Sequence, residues 1–465
     1  MVNAFTIYDL VFFGIFTLTA VIFLYTHKKN LKREGLLYLY RTSFGLKFIE
    51  KFTKKYFKIL KPLQYLVIFS GYLLMVSMIY LLIKFAWIYL TSPVIAQAIR
   101  VPVLIPLIPY LPEIFKIDFL PSFNFTYWII IIAILAIPHE FAHGIFARLN
   151  KIRIHSTGFG FLGPFLAAFV EQDDKDMLKA SKFAQLSVLA AGTFANIITM
   201  VLFGLLFWVF FTSSFIPAGV NFNTYSTQII NTSDLVIPDN FSLDEEFISL
   251  IYNGREVYTS PVILQQTSSQ ELPYTLVYED TPAFKARLKG AISEINGKKI
   301  TSYEDLSSTL KQYSPGDNVK IKTIYQESIR TNKVEILEYD LTLAERDGKA
   351  FLGIGFSQGR QSGIIGSIYL FVSKIKDPLI YYESQLGAFG WFIYFLLWWI
   401  MIILASVALV NMLPVGIFDG GRFFFLTIWA ITGSKKLGEK AFKLSTWLIL
   451  FIVAAMMVKW IFLFI

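Results

Sequence analysis

The sequence predicts a polytopic α-helical membrane protein, with about six transmembrane helices, a membrane-embedded β-hairpin and an α/β domain on the extracytoplasmic side. Three observations predict it. Of the 465 residues, 55% are hydrophobic and only 16% charged, and the mean hydropathy is +0.56, far too apolar for an ordinary soluble enzyme. Apolar runs of about 20 residues, long enough for a ~30 Å hydrocarbon core, recur near 6–26, 64–91, 126–148, 185–213, 388–412 and 444–465. Between the fourth and fifth runs lies one long polar segment, 214–385.

The first run lacks the basic n-region and short apolar core of a cleavable signal, so it is expected to stay as a span. The segment from His27 to Lys61 carries eleven Lys/Arg against two Glu, which places it in the cytosol. Alternation then puts the N-terminus and 214–385 outside. The three N-x-S/T sequons, at Asn124, Asn231 and Asn240, all fall on that outer side, where glycosylation could use them. The net charge of +9 is explained by lysines beside the apolar runs and calls for no nucleic acid partner. Cysteine is absent, which excludes disulfides, iron–sulfur clusters and thiolate metal sites; any metal must be held by His, Asp or Glu.

The expected domain order is 1–125 for the first spans and the basic cytosolic loop, 126–213 for a first core segment, 214–269 for an extracytoplasmic extension, 270–358 for the α/β domain and 386–465 for the remaining spans. VPVLIPLIPYLP (101–112) is apolar but broken by prolines and reads as an interfacial loop. STGFGFLGPFLAAFVEQDD (156–174) has the glycines and short apolar runs of a hairpin, and such backbone at membrane depth must be buried in protein or line a cavity. In 270–356, strands such as TLVYE and VKIKTIY alternate with a polar helix YEDLSSTLKQY and turns at NGK and SPGDN. This order resembles a PDZ domain, which implies binding of an extended peptide as an added strand; a structural ectodomain that binds nothing is the alternative. The chain departs from the usual pattern at Arg287 and Ala291, where Gly and Asp are commoner.

The chemistry is concentrated in AILAIPHEFAHGIFARL. Ionisable groups at a helix centre in a membrane cost roughly 2.5–3.5 kcal/mol or more, so they line a cavity or bind something. His139 and His143 are four residues apart, on one helical face and about 6 Å apart in rise, which suits two imidazoles on one zinc. Glu140 flanks that face, placed to take a proton from water activated by the metal. Zinc held by two His needs a third protein ligand and an open position. The candidate is Asp419 in VALVNMLPVGIFDGGRFF, where Pro414 disfavours continuing the helix and the glycines let the chain turn back. In isolation, an Asp capping the next helix at the membrane surface is an equal reading.

Taken together, His139, Glu140 and His143, then GTFAN from Gly192 to Asn196, then Asn411, Pro414, Asp419 and Gly420 in N-x-x-P-x-x-x-x-D-G closely resemble the site-2 protease family of intramembrane zinc metalloproteases. AAFVEQDDKDM resembles the stretch after that family's membrane-embedded hairpin and leans towards archaeal members. The resemblance covers 126–213 and 388–422, with a PDZ module between them as in many members. It implies one zinc ion held by His139, His143 and Asp419, and Glu140 as general base. It also implies that Asn196 helps stabilise the oxyanion and that Asn411 helps shape the site; for Asn196 an interhelical hydrogen bond is the alternative. The implied activity is hydrolysis of peptide bonds in transmembrane protein substrates within the lipid bilayer, in a prokaryotic plasma membrane with the PDZ-like domain extracytoplasmic. The hairpin would supply a strand edge for the unwound substrate, and His155 is expected at a surface or interface.

Other enzyme classes fit less well. Aspartyl intramembrane proteases need paired Asp in spans, and Asp9 offers one but no G-x-G-D occurs; no G-x-S sits in a span with a His opposite, as a serine protease would need. A non-catalytic membrane adaptor presenting its PDZ-like domain is the remaining alternative, and gives no reason to keep Glu140.

Overall fold

The computed structural model describes residues 4–35, 37–92, 107–115, 117, 120–163, 165–236, 246–269, 272–326, 334–356, 370, 373 and 375–462. Residues 101–106 of the 101–112 stretch and the sequon at Asn240 lie outside them. The chain forms two compact units, residues 1–209 with 392–465, and residues 210–391.

The helices of ten or more residues in the first unit, with their full extents, are α1 (Ala4–Thr26), α2 (Leu46–Lys55), α3 (Phe57–Thr91), α4 (Phe125–Leu149), α5 (Lys182–Ser214), α6 (Gly387–Val410), α7 (Asp419–Thr432) and α8 (Lys435–Phe462). Six of these, all but α2 and α7, are long and apolar enough to cross a membrane, and they are the six runs read from the sequence. Two start well before the apolar runs do, α3 at Phe57 and α8 at Lys435. Their first turns are rich in Lys and Leu, which favour helix whether or not they are apolar. On α1 the large apolar residues Ile7, Leu10, Val11, Ile15, Leu18 and Val21 are all exposed, the pattern of a helix whose solvent is lipid.

Between helices, small residues allow close approach. Val67 of α3, Ala147 of α4, Ala190 and Ala191 of α5 and Phe423 of α7 are fully buried in one core, a packing-driven association suited to an apolar solvent. At the end of α4, Asn150 donates to Gln64 of α3 (2.9 Å) and to Ser187 of α5 (3.2 Å), tying three helices at one level.

Two helix ends are capped from elsewhere in the chain. Asp9 of α1, 2% exposed, accepts the backbone N–H groups of Phe125 (2.7 Å) and Thr126 (2.8 Å) at the start of α4, which the side chain of the N-cap residue Asn124 does not cap. Its negative charge also suits the positive end of the helix dipole. The lone carboxylate of the first span is thus a helix cap. Lys459 of α8 mirrors it, donating to the carbonyls of Tyr89 (2.9 Å) and Leu90 (3.0 Å) at the end of α3. Asp9→Ala leaves buried N–H groups unpaired, so it should cost about 1–3 kcal/mol, read as a lower unfolding midpoint in detergent. An unchanged midpoint would show that the cap contributes nothing.

A four-stranded antiparallel sheet completes this unit, in the order β1 (Leu31–Glu34), β2 (Leu37–Thr42), β3 (Ile154–Leu162), β4 (Phe165–Gln172). The expected hairpin is β3–β4. The pair β1–β2 was not legible, because its residues lie in the basic segment, whose lysines and arginines report which side of a membrane it occupies and mask the strand alternation of LYLYRT. Tyr38 pairs with Phe161 and Thr42 with Thr157, which leaves β4 as an edge. His155 is half exposed and its Nε2 lies 2.9 Å from Asp173 Oδ2.

The second unit contains two larger sheets. One runs 334–342, 318–326, 291–295, 215–220, 380–384, with 298–299 pairing 291–295, around a core that includes Ile292, Ile295, Leu306 and Ile321. The other runs 227–231, 274–278, 255–259, 248–252, 235–236, with Leu264 of the helix Pro261–Ser269 in its core. TLVYE belongs to this second sheet, since Tyr274 to Tyr278 pair with Asn231 to Thr227. The expected boundary at 270 therefore cuts a sheet: the partner strand lies more than 40 residues upstream, beyond the reach of local pattern. Arg287 has φ +49°, the left-handed region that favours glycine. Its guanidinium stacks 4.3 Å from the Phe247 ring and 4.5 Å from the Phe284 ring, which offsets the strain.

Candidate metal centre

His139 and His143 lie on the buried face of α4, each 7% exposed. Their Nε2 atoms are 3.1 Å apart, and Asp419 Oδ2 lies 3.3 Å from His143 Nε2 and 3.7 Å from His139 Nε2. Among the described residues this is the one group of three or more His, Asp or Glu that could hold a metal.

Asp419 arrives because the chain reverses after α6. The carbonyl of Asn411 accepts the N–H of Gly420 at 2.8 Å, which closes the turn through Pro414 and Gly416. A Cβ on Gly420 would lie 2.3 Å from the carbonyl carbon of Met412, so only glycine permits this closure. Asp419 is the first residue of α7, held facing the histidines by that turn. Asn411 therefore meets this turn through its backbone carbonyl.

The opposite wall is α5. Val188, Gly192 and Asn196 recur every four residues and share one face. The carbonyl of Val188 lies 2.7 Å from His143 Nδ1, and the side-chain amide of Asn196 lies 3.1 Å from His139 Nδ1. A Cβ on Gly192 would come within 2.4 Å of His143 Nε2 and 2.6 Å of His139 Nε2, so the glycine keeps the space before both rings clear. Glu140 stands beside the donor set and accepts the N–H of Val170 on the edge strand β4 at 3.1 Å.

The donor set fits a tetrahedral zinc. Two atoms bound at 2.0–2.1 Å to one such ion are about 3.3–3.4 Å apart, against the 3.1, 3.3 and 3.7 Å found. The chemistry also suits a cation. A carbonyl only accepts, so His143 Nδ1 carries the hydrogen and, in the neutral ring, Nε2 presents a lone pair. That lone pair faces an imidazole nitrogen and a carboxylate oxygen, an arrangement a positive ion between them resolves. Of these features, the Val188 carbonyl and the Val170 N–H were missed from sequence, since backbone groups leave no residue-type signal; helical spacing back from Gly192 is the one cue to Val188.

The fold and this site define a polytopic membrane protein with a metalloprotease-type His, His, Asp centre. The chain belongs to peptidase family M50, the site-2 proteases: the family model matches residues 127–456, which include every residue of the site. The chain is therefore a membrane metalloprotease of the site-2 type, a family whose chemistry implies zinc. It is 28% identical over 351 residues to the uncharacterised protein MJ0971 of Methanocaldococcus jannaschii, covering 73% of this chain and 72% of that one. It is also 25% identical over 186 residues to the zinc metalloprotease RasP of Shouchella clausii, covering 35% of this chain and 44% of that one.

Proposed function

We propose that the protein is an intramembrane zinc endopeptidase that hydrolyses peptide bonds within or near transmembrane segments of other membrane proteins. The observation that carries this is the convergence of His139, His143 and Asp419 with Glu140 beside them, at a helix apolar enough to span a bilayer. Zinc bound there would polarise the scissile carbonyl and activate water. Glu140 takes up the proton from the attacking water and passes it to the leaving amine. Val170 N–H holds the carboxylate in place for both transfers. The outer edge of β4 pairs with the substrate in extended form, since a peptide bond is accessible only where the substrate helix is unwound. Incubating the purified protein in detergent with a panel of single-span substrates tests the proposal; a chain that loads zinc and cleaves none would refute it.

Residues 270–358 act in this reading as a PDZ-like peptide-binding domain outside the membrane. A groove of about 530 Å³ between the helix Tyr303–Leu310 and residues 348–356 is lined by Leu306, Leu310, Phe351 and Ile354, a surface suited to an extended apolar peptide. The orientation is tested by single cysteines in a chain that has none. Lys51→Cys, on the basic segment, should be shielded from an impermeant reagent in intact cells of a prokaryotic host, and Lys298→Cys should be labelled. The reverse pattern would invert the topology.

A further inference from the structure

We infer that Asn196 is a positioning residue that fixes the tautomer of His139, its Oδ1 accepting the hydrogen on His139 Nδ1. The inference rests on the metal-centre reading above and assigns Asn196 a different task from oxyanion stabilisation.

The side chain of Asn196 is fully buried, so no solvent competes for its amide. It touches His139 at Nδ1, on the side of the ring away from Asp419, at 3.1 Å. An oxyanion donor must instead face the reacting carbonyl on the metal side. With the amide nitrogen towards the ring, Oδ1 is buried with no partner. Oxygen and nitrogen of an amide exchange by a 180° rotation that leaves the other atoms in place, and the hydrogen-bond network decides between the two settings. Here a cation on Nε2 decides it. A neutral imidazole that ligates through Nε2 carries its hydrogen on Nδ1, so the partner must be an acceptor, and Oδ1 is the acceptor present.

The neighbouring histidine shows the same device in backbone form, His143 Nδ1 donating to the Val188 carbonyl at 2.7 Å. Residues 188 and 196 are two helical turns apart with Gly192 between them, antiparallel to residues 143 and 139. One face of α5 thus sets both rings so that both Nε2 lone pairs point at one place. Ligand orientation of this kind typically changes metal affinity by 10–100-fold.

The test uses the full-length protein in detergent, with zinc affinity measured by chelator competition for wild type, Asn196→Asp and Asn196→Leu. A carboxylate also accepts, so Asn196→Asp should hold zinc at least as tightly as wild type, whereas Asn196→Leu should bind it about 10–100-fold more weakly. In ¹⁵N-histidine spectra of the zinc-loaded protein, one Nδ1–H signal should shift in Asn196→Asp. Wild-type affinity in Asn196→Leu would overturn the inference. So would equal loss in both variants, or an Asn196→Asp protein that binds zinc and cleaves nothing, since the acceptor is kept there and the amide N–H is lost. If Asn196→Leu does not fold, Asn196→Asp still decides. A wild type that binds no zinc would sink the metalloprotease reading itself, whereas a zinc-binding wild type with an unaffected Asn196→Leu sinks this assignment alone.

Discussion

Glu140→Gln should abolish detectable cleavage while leaving zinc affinity within a few-fold of wild type. The carboxylate follows His139 by one residue, so it is rotated about 100° around α4 from the ligand face, and the three converging donor atoms belong to His139, His143 and Asp419. Glutamine has the same shape and keeps an oxygen that can accept the Val170 N–H now held at 3.1 Å. What it loses is basicity. General acid–base groups contribute typically 10²–10⁴-fold, and here a single carboxylate is assigned both the uptake and the delivery of the proton, so the loss should lie at or beyond the upper end. The measurement is cleavage of a single-span substrate beside zinc content of the same preparation. Cleavage at the wild-type rate would remove Glu140 as the base; lost zinc would make it part of the coordination sphere.

How far the site was legible follows from what each residue does. His139, Glu140 and His143 are readable because their spacing and helical period coincide, and because ionisable residues inside an apolar run are costly enough to need a reason. The spans are readable for the same cause, since lipid imposes a length and a composition. Gly192 stood in a motif, but its role as the clearing before two imidazoles depends on α5 lying opposite α4, a tertiary fact. Val188 and Val170 act through backbone groups, which every residue carries. Asp9 is instructive in the other direction: a buried acid in a span invites a catalytic reading, yet its partners are the N–H groups that open α4. The strands β1 and β2 were hidden because charge beside a membrane reports sidedness whatever secondary structure it adopts.

Asp419→Ala should lower zinc affinity by more than the 10–100-fold typical of outer-shell changes, and should eliminate cleavage. The carboxylate lies 3.3 Å from His143 Nε2 and 3.7 Å from His139 Nε2, and without it the donor set keeps two neutral ligands and no anionic one. Its position depends on a turn that only glycine can close, which gives an independent test of delivery as opposed to ligand identity. Gly420→Ala keeps the carboxylate but sets a Cβ 2.3 Å from the backbone of Met412, so the turn must open and Asp419 must withdraw. Both variants should therefore lose zinc, one by deleting the donor and the other by displacing it. Asp305→Ala serves as the control. That carboxylate accepts from the Thr301 backbone at 3.1 Å and hydroxyl at 2.7 Å at the start of the helix Tyr303–Leu310, so its loss should weaken that helix end and leave zinc untouched. If Asp419→Ala held zinc as wild type does, the carboxylate would be a helix-end charge on α7 and the third ligand would have to come from elsewhere. If Gly420→Ala held zinc while Asp419→Ala did not, the carboxylate would be the ligand but the turn would not be what delivers it.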